Sequence, residues 1–117
     1  QGISRLVAMA FENLPVNRRS KSMWRLLAAF NGRAIGNPAM MRLQHRRYLV
    51  GAETYISEIE DLQTKGVIKT DIDASLEGAG LCAFVEGIAA QIILAPSLKE
   101  IDDWKLLLRR YIERMIS

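Results

Sequence analysis

A few side chains in this sequence combine useful chemistry with helical spacing. The single histidine, His45, stands with Met41, Tyr48 and Tyr55 at intervals that share one helix face. Upstream, Trp24, Leu27, Phe30 and Asn31 have the same kind of spacing, and downstream Cys82 and Glu86 lie one helical turn apart. Aromatic and methionine side chains with a few polar groups make up the lining of an apolar small-molecule pocket, so these are the candidate ligand-binding residues. Each also has a plainer reading. Aromatics on an inner stripe are ordinarily core, a lone histidine there is ordinarily a hydrogen-bonded core residue, and a thiol in an apolar run is ordinarily inert.

Catalysis and metal binding find little support. One histidine rules out a two-histidine metal site within one chain, and Cys82 lacks the paired spacing of a structural zinc site. No phosphate-binding loop, nucleophile elbow or dinucleotide fingerprint occurs; Gly78-Ala79-Gly80 falls inside a helical pattern rather than after a strand. His45 and Glu86 have the types of an acid–base pair, but nothing in their spacing brings them together. No enzyme, metal or cofactor is expected.

The elements that must position these residues are helices. Apolar residues recur at the helical period almost everywhere between the prolines and glycines, and no alternating run is long enough for a sheet. The pattern predicts five helices: Ile3 to Leu14, stopped by Pro15; a second capped by Asn17 or Ser20, with Met23, Leu26, Leu27, Phe30 and Ala34 on one stripe; and a third from Pro38 to Lys65, closed by Gly66. Its stripe is Met41, His45, Tyr48, Ala52, Tyr55, Ile59 and Leu62. Asp71 or Asp73 caps a fourth helix that runs to Ala95, and Ser97 caps a fifth from Leu98 to Ile116. The fold class is therefore all-α, one helical domain over residues 1–117.

Composition agrees. Hydrophobic residues make up 50% and charged residues 25% of the 117, the profile of a folded globular domain. The net charge is only +3, and the early arginines are followed by Glu53, Glu58, Glu60 and Asp61, so no unbroken basic face exists for direct nucleic-acid binding. The one cysteine permits no internal disulfide, and no signal-peptide pattern occurs. A cytoplasmic setting is expected, and the start at Gln1 suggests a portion of a longer protein.

The fourth helix needs covering. From Gly78 to Ala95 only Glu86 and Gln91 are clearly polar. Length alone would suit a membrane span, but Glu86 at its middle, an Asp-rich start and four amphipathic neighbours argue against one. Neighbours within the chain cover one face; the small-residue ridge Ala79, Ala83, Gly87 and Ala90 suits the same ridge of a second subunit. A central core helix in a monomer is the alternative. The fifth helix has a wide apolar face, including Trp104, Leu108 and Tyr111. An interface of two helices per subunit follows, with Phe84, Gln91, Trp104, Leu108 and Tyr111 joining the ridge in a homodimer.

The order of features resembles the C-terminal domain of TetR-family transcriptional regulators, nearest its BetI-like subgroup. The resemblance rests on Leu14-Pro15, Trp24 to Phe30, Asn37-Pro38-Ala39-Met40, Arg46-Arg47-Tyr48, the turn Gly66-Val67-Ile68-Lys69-Thr70-Asp71-Ile72-Asp73, and Phe84-Val85-Glu86-Gly87-Ile88. It spans essentially the whole chain and implies a five-helix domain whose last two helices form an intersubunit four-helix bundle. It also implies a homodimeric one-component regulator, usually a repressor, that binds a partly apolar small-molecule effector. Operator DNA would be held by an N-terminal helix-turn-helix, whose Thr-x-x-x-Ile-Ala-x-x-Ala-Gly-Val stretch does not occur here. Where the family often has Asp-Gly, this chain has Glu86-Gly87, which keeps the charge. A freestanding helical adaptor that binds another protein is the other expectation, and it needs no pocket.

Overall fold

Proline and glycine end the helices where the sequence places them. The computed structural model describes residues 2–116 and holds, among them, five α-helices and no strand. They are α1 (Ser4–Glu12), α2 (Arg18–Ala34), α3 (Pro38–Thr64), α4 (Ala74–Leu94) and α5 (Ile101–Glu113). Asn17 caps α2 in a reciprocal box: its side chain accepts from the Ser20 amide, and the Ser20 hydroxyl accepts from the Asn17 amide. Asn37 and Asp73 cap α3 and α4 by accepting the Met40 and Leu76 amides at 3.2 and 3.1 Å. Gly36 and Gly66 take φ of 82° and 77° after α2 and α3, a region costly for other residues.

The Gly66–Asp73 turn is fastened on both sides. Gln63 Nε2 donates to the carbonyls of Lys69 and Ile72 at 2.9 and 2.8 Å. The Lys69 amide donates to the Met115 carbonyl, and Ile68 pairs with Ile116 in an isolated bridge. Ile68 is thereby fully buried between the end of α3 and the end of α5.

The core gathers Leu6, Val7 and Ala10 of α1, Tyr55, Ile59 and Leu62 of α3, Leu81, Val85, Ile88 and Ile92 of α4, and Trp104, Leu108 and Ile112 of α5. Each fully buried Leu or Ile stabilises the fold by about 1.5–3 kcal/mol relative to its exposure. The domain measures 42 × 34 × 19 Å, and the 27-residue helix α3 is itself about 40 Å long. Only the C-terminal half of α3 has the core beneath it: Tyr55, Ile59 and Leu62 are buried, while Met41, His45 and Tyr48 remain exposed.

Three expectations need correcting. Of the α2 stripe, Met23 and Leu26 are exposed; the inward side is Trp24, Leu27, Asn31 and Ala34, and only Ala34 is fully covered. The residues on the inward side include a polar one, because Asn31 accepts a hydrogen bond from Gln44 Nε2 on α3. The last helix begins at Ile101, not Leu98, without a side-chain cap; Ala95 to Leu98 form a turn instead, and Leu98 stays exposed. Asp102 and Asp103 still sit in its first turn, where they complement the helix dipole. It also ends at Glu113, leaving Met115 in the core beyond the last helical turn.

Candidate functional site

A cavity of about 380 Å³ opens where α2, the middle of α3 and the middle of α4 meet the end of α1. Of the expected ligand-binding residues, Trp24 and Leu27 line it from α2, Tyr48 and Tyr55 from α3, and Cys82 and Glu86 from α4. Helical periodicity explains the set. Gly51 falls between Tyr48 and Tyr55 at spacings of three and four and removes the side chain that would otherwise fill the space. A β-carbon on Gly51 would meet only the Cys82 sulfur, at 3.6 Å.

A second, more open hollow of about 490 Å³ lies toward the α2–α3 turn. Asn31, Met41 and His45 line this one, together with Ile35 and Gln44. Tyr48 borders both, so it is the partition between them. His45 is exposed at the outer hollow and does not meet Glu86 in either lining, so no acid–base pair is assembled. Phe30 is half-buried and lines neither cavity.

Polar contacts set the inner cavity. The Tyr48 hydroxyl donates to Glu86 Oε1 at 2.8 Å, joining α3 to α4. Burial, then the adjacent Glu86 carboxylate, raises the Tyr48 hydroxyl above its usual pKa, against the pull of Arg47. Asn13 Nδ2 donates to the Tyr55 hydroxyl at 2.8 Å and to the Met9 carbonyl at 3.2 Å, tying the end of α1 to the cavity floor. Burial raises the Tyr55 hydroxyl, and burial followed by Glu86 raises the Cys82 thiol. Arg47 extends its guanidinium over the Tyr48 ring, 5.0 Å from the centroid, while its Nε donates to Gln44 Oε1 at 3.0 Å. Among the described residues no cluster of His, Cys, Asp and Glu is placed to hold a metal ion.

Sequence reasoning missed Met9, Glu12, Asn13, Arg47, Gly51, Thr54 and Val85 of the lining. Arg47, Gly51 and Thr54 were within reach, since they flank Tyr48 and Tyr55 at helical spacing. The α1 residues were not, because their approach is a tertiary fact.

The other functional candidate is a surface. Helix α4 is long and apolar enough, by length and composition alone, to cross a membrane, but in the fold it divides into three sides. Gly78, Leu81, Val85, Ile88 and Ile92 enter the core, and Cys82 and Glu86 face the cavity. Ala79, Ala83, Gly87 and Gln91 are exposed and Ala90 is half-buried, on a side continued by Leu76 and Leu94, which are 69% and 80% exposed. Phe84 stacks on Tyr111 of α5 with ring centroids 4.3 Å apart, and both remain half-buried. Leu107, one turn before Tyr111, is also exposed. The Arg114 guanidinium lies 4.1 Å over the Tyr111 ring and its Nη2 donates to Glu77 Oε1 at 2.6 Å, which fixes α5 against the start of α4.

Trp104 and Leu108 do not belong to this surface. They are 8% and 0% exposed within the single chain, because α5 turns that stripe toward the core shared with α1 and α4. A wide apolar face on α5 therefore reports packing inside the chain, and only its Leu107–Tyr111 edge reaches the exposed side of α4.

No curated protein and no solved structure matches the chain. Residues 3–117 do match a family model, that of the C-terminal domain of BetI-type transcriptional repressors. The five-helix all-α architecture and the expected subgroup agree with it. With all but its first two residues covered, the chain belongs to the family of BetI-type transcriptional repressor C-terminal domains.

Proposed function

We propose that this chain is the effector-sensing and homodimerising domain of a one-component transcriptional regulator, a cytoplasmic repressor that leaves its operator when a small molecule binds. The observation that carries the reading is the division of α4 between a cavity side, Cys82 and Glu86, and an exposed small-residue side, Ala79, Ala83 and Gly87. One rigid helix then touches effector and partner together. Ligand seated against Glu86 and Tyr48 changes how α3 sits on α4, and that change is felt across the two-fold axis. Operator contacts belong to an N-terminal DNA-binding domain outside these residues, and the reading needs neither metal nor cofactor.

A thermal-shift screen of small metabolites and amphipathic compounds tests the sensing half, since a ligand that binds only the folded state raises the melting temperature. A compound that stabilises the chain, and loses that effect in Gly51→Leu, supports the cavity as the effector site. A broad screen without any such compound would count against it.

A second reading, a freestanding adaptor for another protein, draws on the exposed Leu26, Ile35, Leu43, Leu49 and Val50 of α2, α3 and the turn between them. It predicts a heteromeric partner bound there and no cavity ligand, so the same screen separates the two.

A further inference from the structure

The inner cavity presents one carboxylate with an oxygen that no protein donor holds. Glu86 Oε1 is held by the Tyr48 hydroxyl, whereas Oε2 has no hydrogen-bond partner among the described residues. No Lys, Arg or His nitrogen of the described residues lies within 4.0 Å of it. Arg47, the cation of the lining, has its Nε on Gln44 and its guanidinium over the Tyr48 ring, with no Asp or Glu oxygen of the described residues within 4.0 Å. Glu12 adds a second carboxylate from the α1 side, so the lining carries two acidic groups against one basic. Trp24 and Tyr55 supply apolar and π surface beside the carboxylate.

We infer that the cavity takes a protonated amine bearing at least one N–H, with an aromatic or apolar body. This rests on the reading of the cavity as the effector site. Glu86 calls for the N–H. A carboxylate oxygen removed from water by an entering ligand must regain a donor, and N⁺–H···O⁻ is the strong form of that bond. A quaternary ammonium offers charge to the rings but no donor to Oε2, and a carboxylate ligand meets two like charges. The apolar body lies along Trp24 and Tyr55, whose hydroxyl is already engaged by Asn13.

The test is calorimetric titration of the chain at pH 7 with four probes that share a phenyl body and differ in the head group: 2-phenylethylamine, its N,N,N-trimethyl analogue, 2-phenylethanol and phenylacetate. The amine is expected to bind about tenfold or more tightly than each of the others, and Glu86→Gln to remove about that factor from the amine alone. Equal or tighter binding of the quaternary, neutral or anionic probe overturns the inference, as does an amine affinity unchanged in Glu86→Gln. If such a competing probe loses its binding in Gly51→Leu, the amine falls while the effector reading stands. Silence of all four probes overturns the amine, and a silent library screen beside it removes the effector reading too. Should Glu86→Gln not fold, the order of the four probes on the unmodified chain decides.

Discussion

Gly78 of α4 rests so close to Ile56 of α3 that a β-carbon on it would collide with Ile56 Cγ1 and lie 3.1 Å from the Ile56 backbone nitrogen. The two helices make the most extensive contact in the domain, and this approach sets the depth at which Cys82 and Glu86 face Tyr48 and Tyr55. Gly78→Ala gains up to about 1 kcal/mol of helix propensity but forces backbone apart. Overpacking of this kind costs about 1–3 kcal/mol, and here the neighbour includes main chain that cannot turn aside. The urea midpoint should fall. Gly32→Ala is the control: Gly32 is exposed within α2 with nothing within 4 Å of a β-carbon, so it should gain about 0.5–1 kcal/mol.

The Tyr48 hydroxyl is the one direct side-chain hydrogen bond from α3 to Glu86 among the described residues. Tyr48→Phe keeps the partition between the two hollows and removes that bond. Tyr48 is 40% exposed, so water replaces much of the loss and unfolding free energy should drop by only about 0.5–1 kcal/mol. Effector affinity should change more than stability does, because Glu86 then presents both oxygens to the ligand. A stability loss well above this range in chemical denaturation would show the bond to be a structural tie rather than a ligand-facing one.

Cys82 should resist alkylation. Burial first and Glu86 second hold its thiol protonated above the usual range, and the thiolate is the reactive form. The rate with iodoacetamide at pH 8 should be well below that of the urea-unfolded chain, and should fall further when an effector fills the cavity. A folded-state rate equal to the unfolded one would place Cys82 outside any protected cavity.

Alkaline pH should weaken the fold through Tyr55. Its hydroxyl, raised by burial, keeps its proton where an unfolded tyrosine loses it. The stabilisation is therefore complete below the unfolded value of about 10 and disappears as pH rises toward the higher folded value. Urea midpoints measured from pH 8 to 11 should decline above about 10. Tyr55→Phe should flatten that decline, at the expense of the Asn13 hydrogen bond.

Much of the fold is legible in the sequence because local chemistry decides it. Pro15, Gly36, Pro38, Gly66 and Pro96 mark helix ends, and Asn17 and Asp73 cap through side chains three residues from their targets. What the local pattern cannot decide is which neighbour an apolar face meets. Trp104 and Leu108 read as apolar and are buried, but in their own core. Met23 and Leu26 read equally apolar and stay exposed, because α2 reaches the body with only one side. In the cavity, Tyr48, Tyr55, Cys82 and Glu86 follow from spacing, whereas Asn13 meets Tyr55 across 42 residues of chain and has no local signal.

The exposed side of α4 decides the account as a whole. Gly87 has nothing within 4 Å of a β-carbon inside the chain, so Gly87→Trp should leave the monomer fold untouched and obstruct only a partner. Light scattering across micromolar concentrations is the direct measurement. The unmodified chain should give twice the 13.2 kDa chain mass, and Gly87→Trp, with its helical circular dichroism unchanged, should give the chain mass itself. A strict monomer for the unmodified chain, or an intact dimer for Gly87→Trp, would contradict a dimer built on this helix.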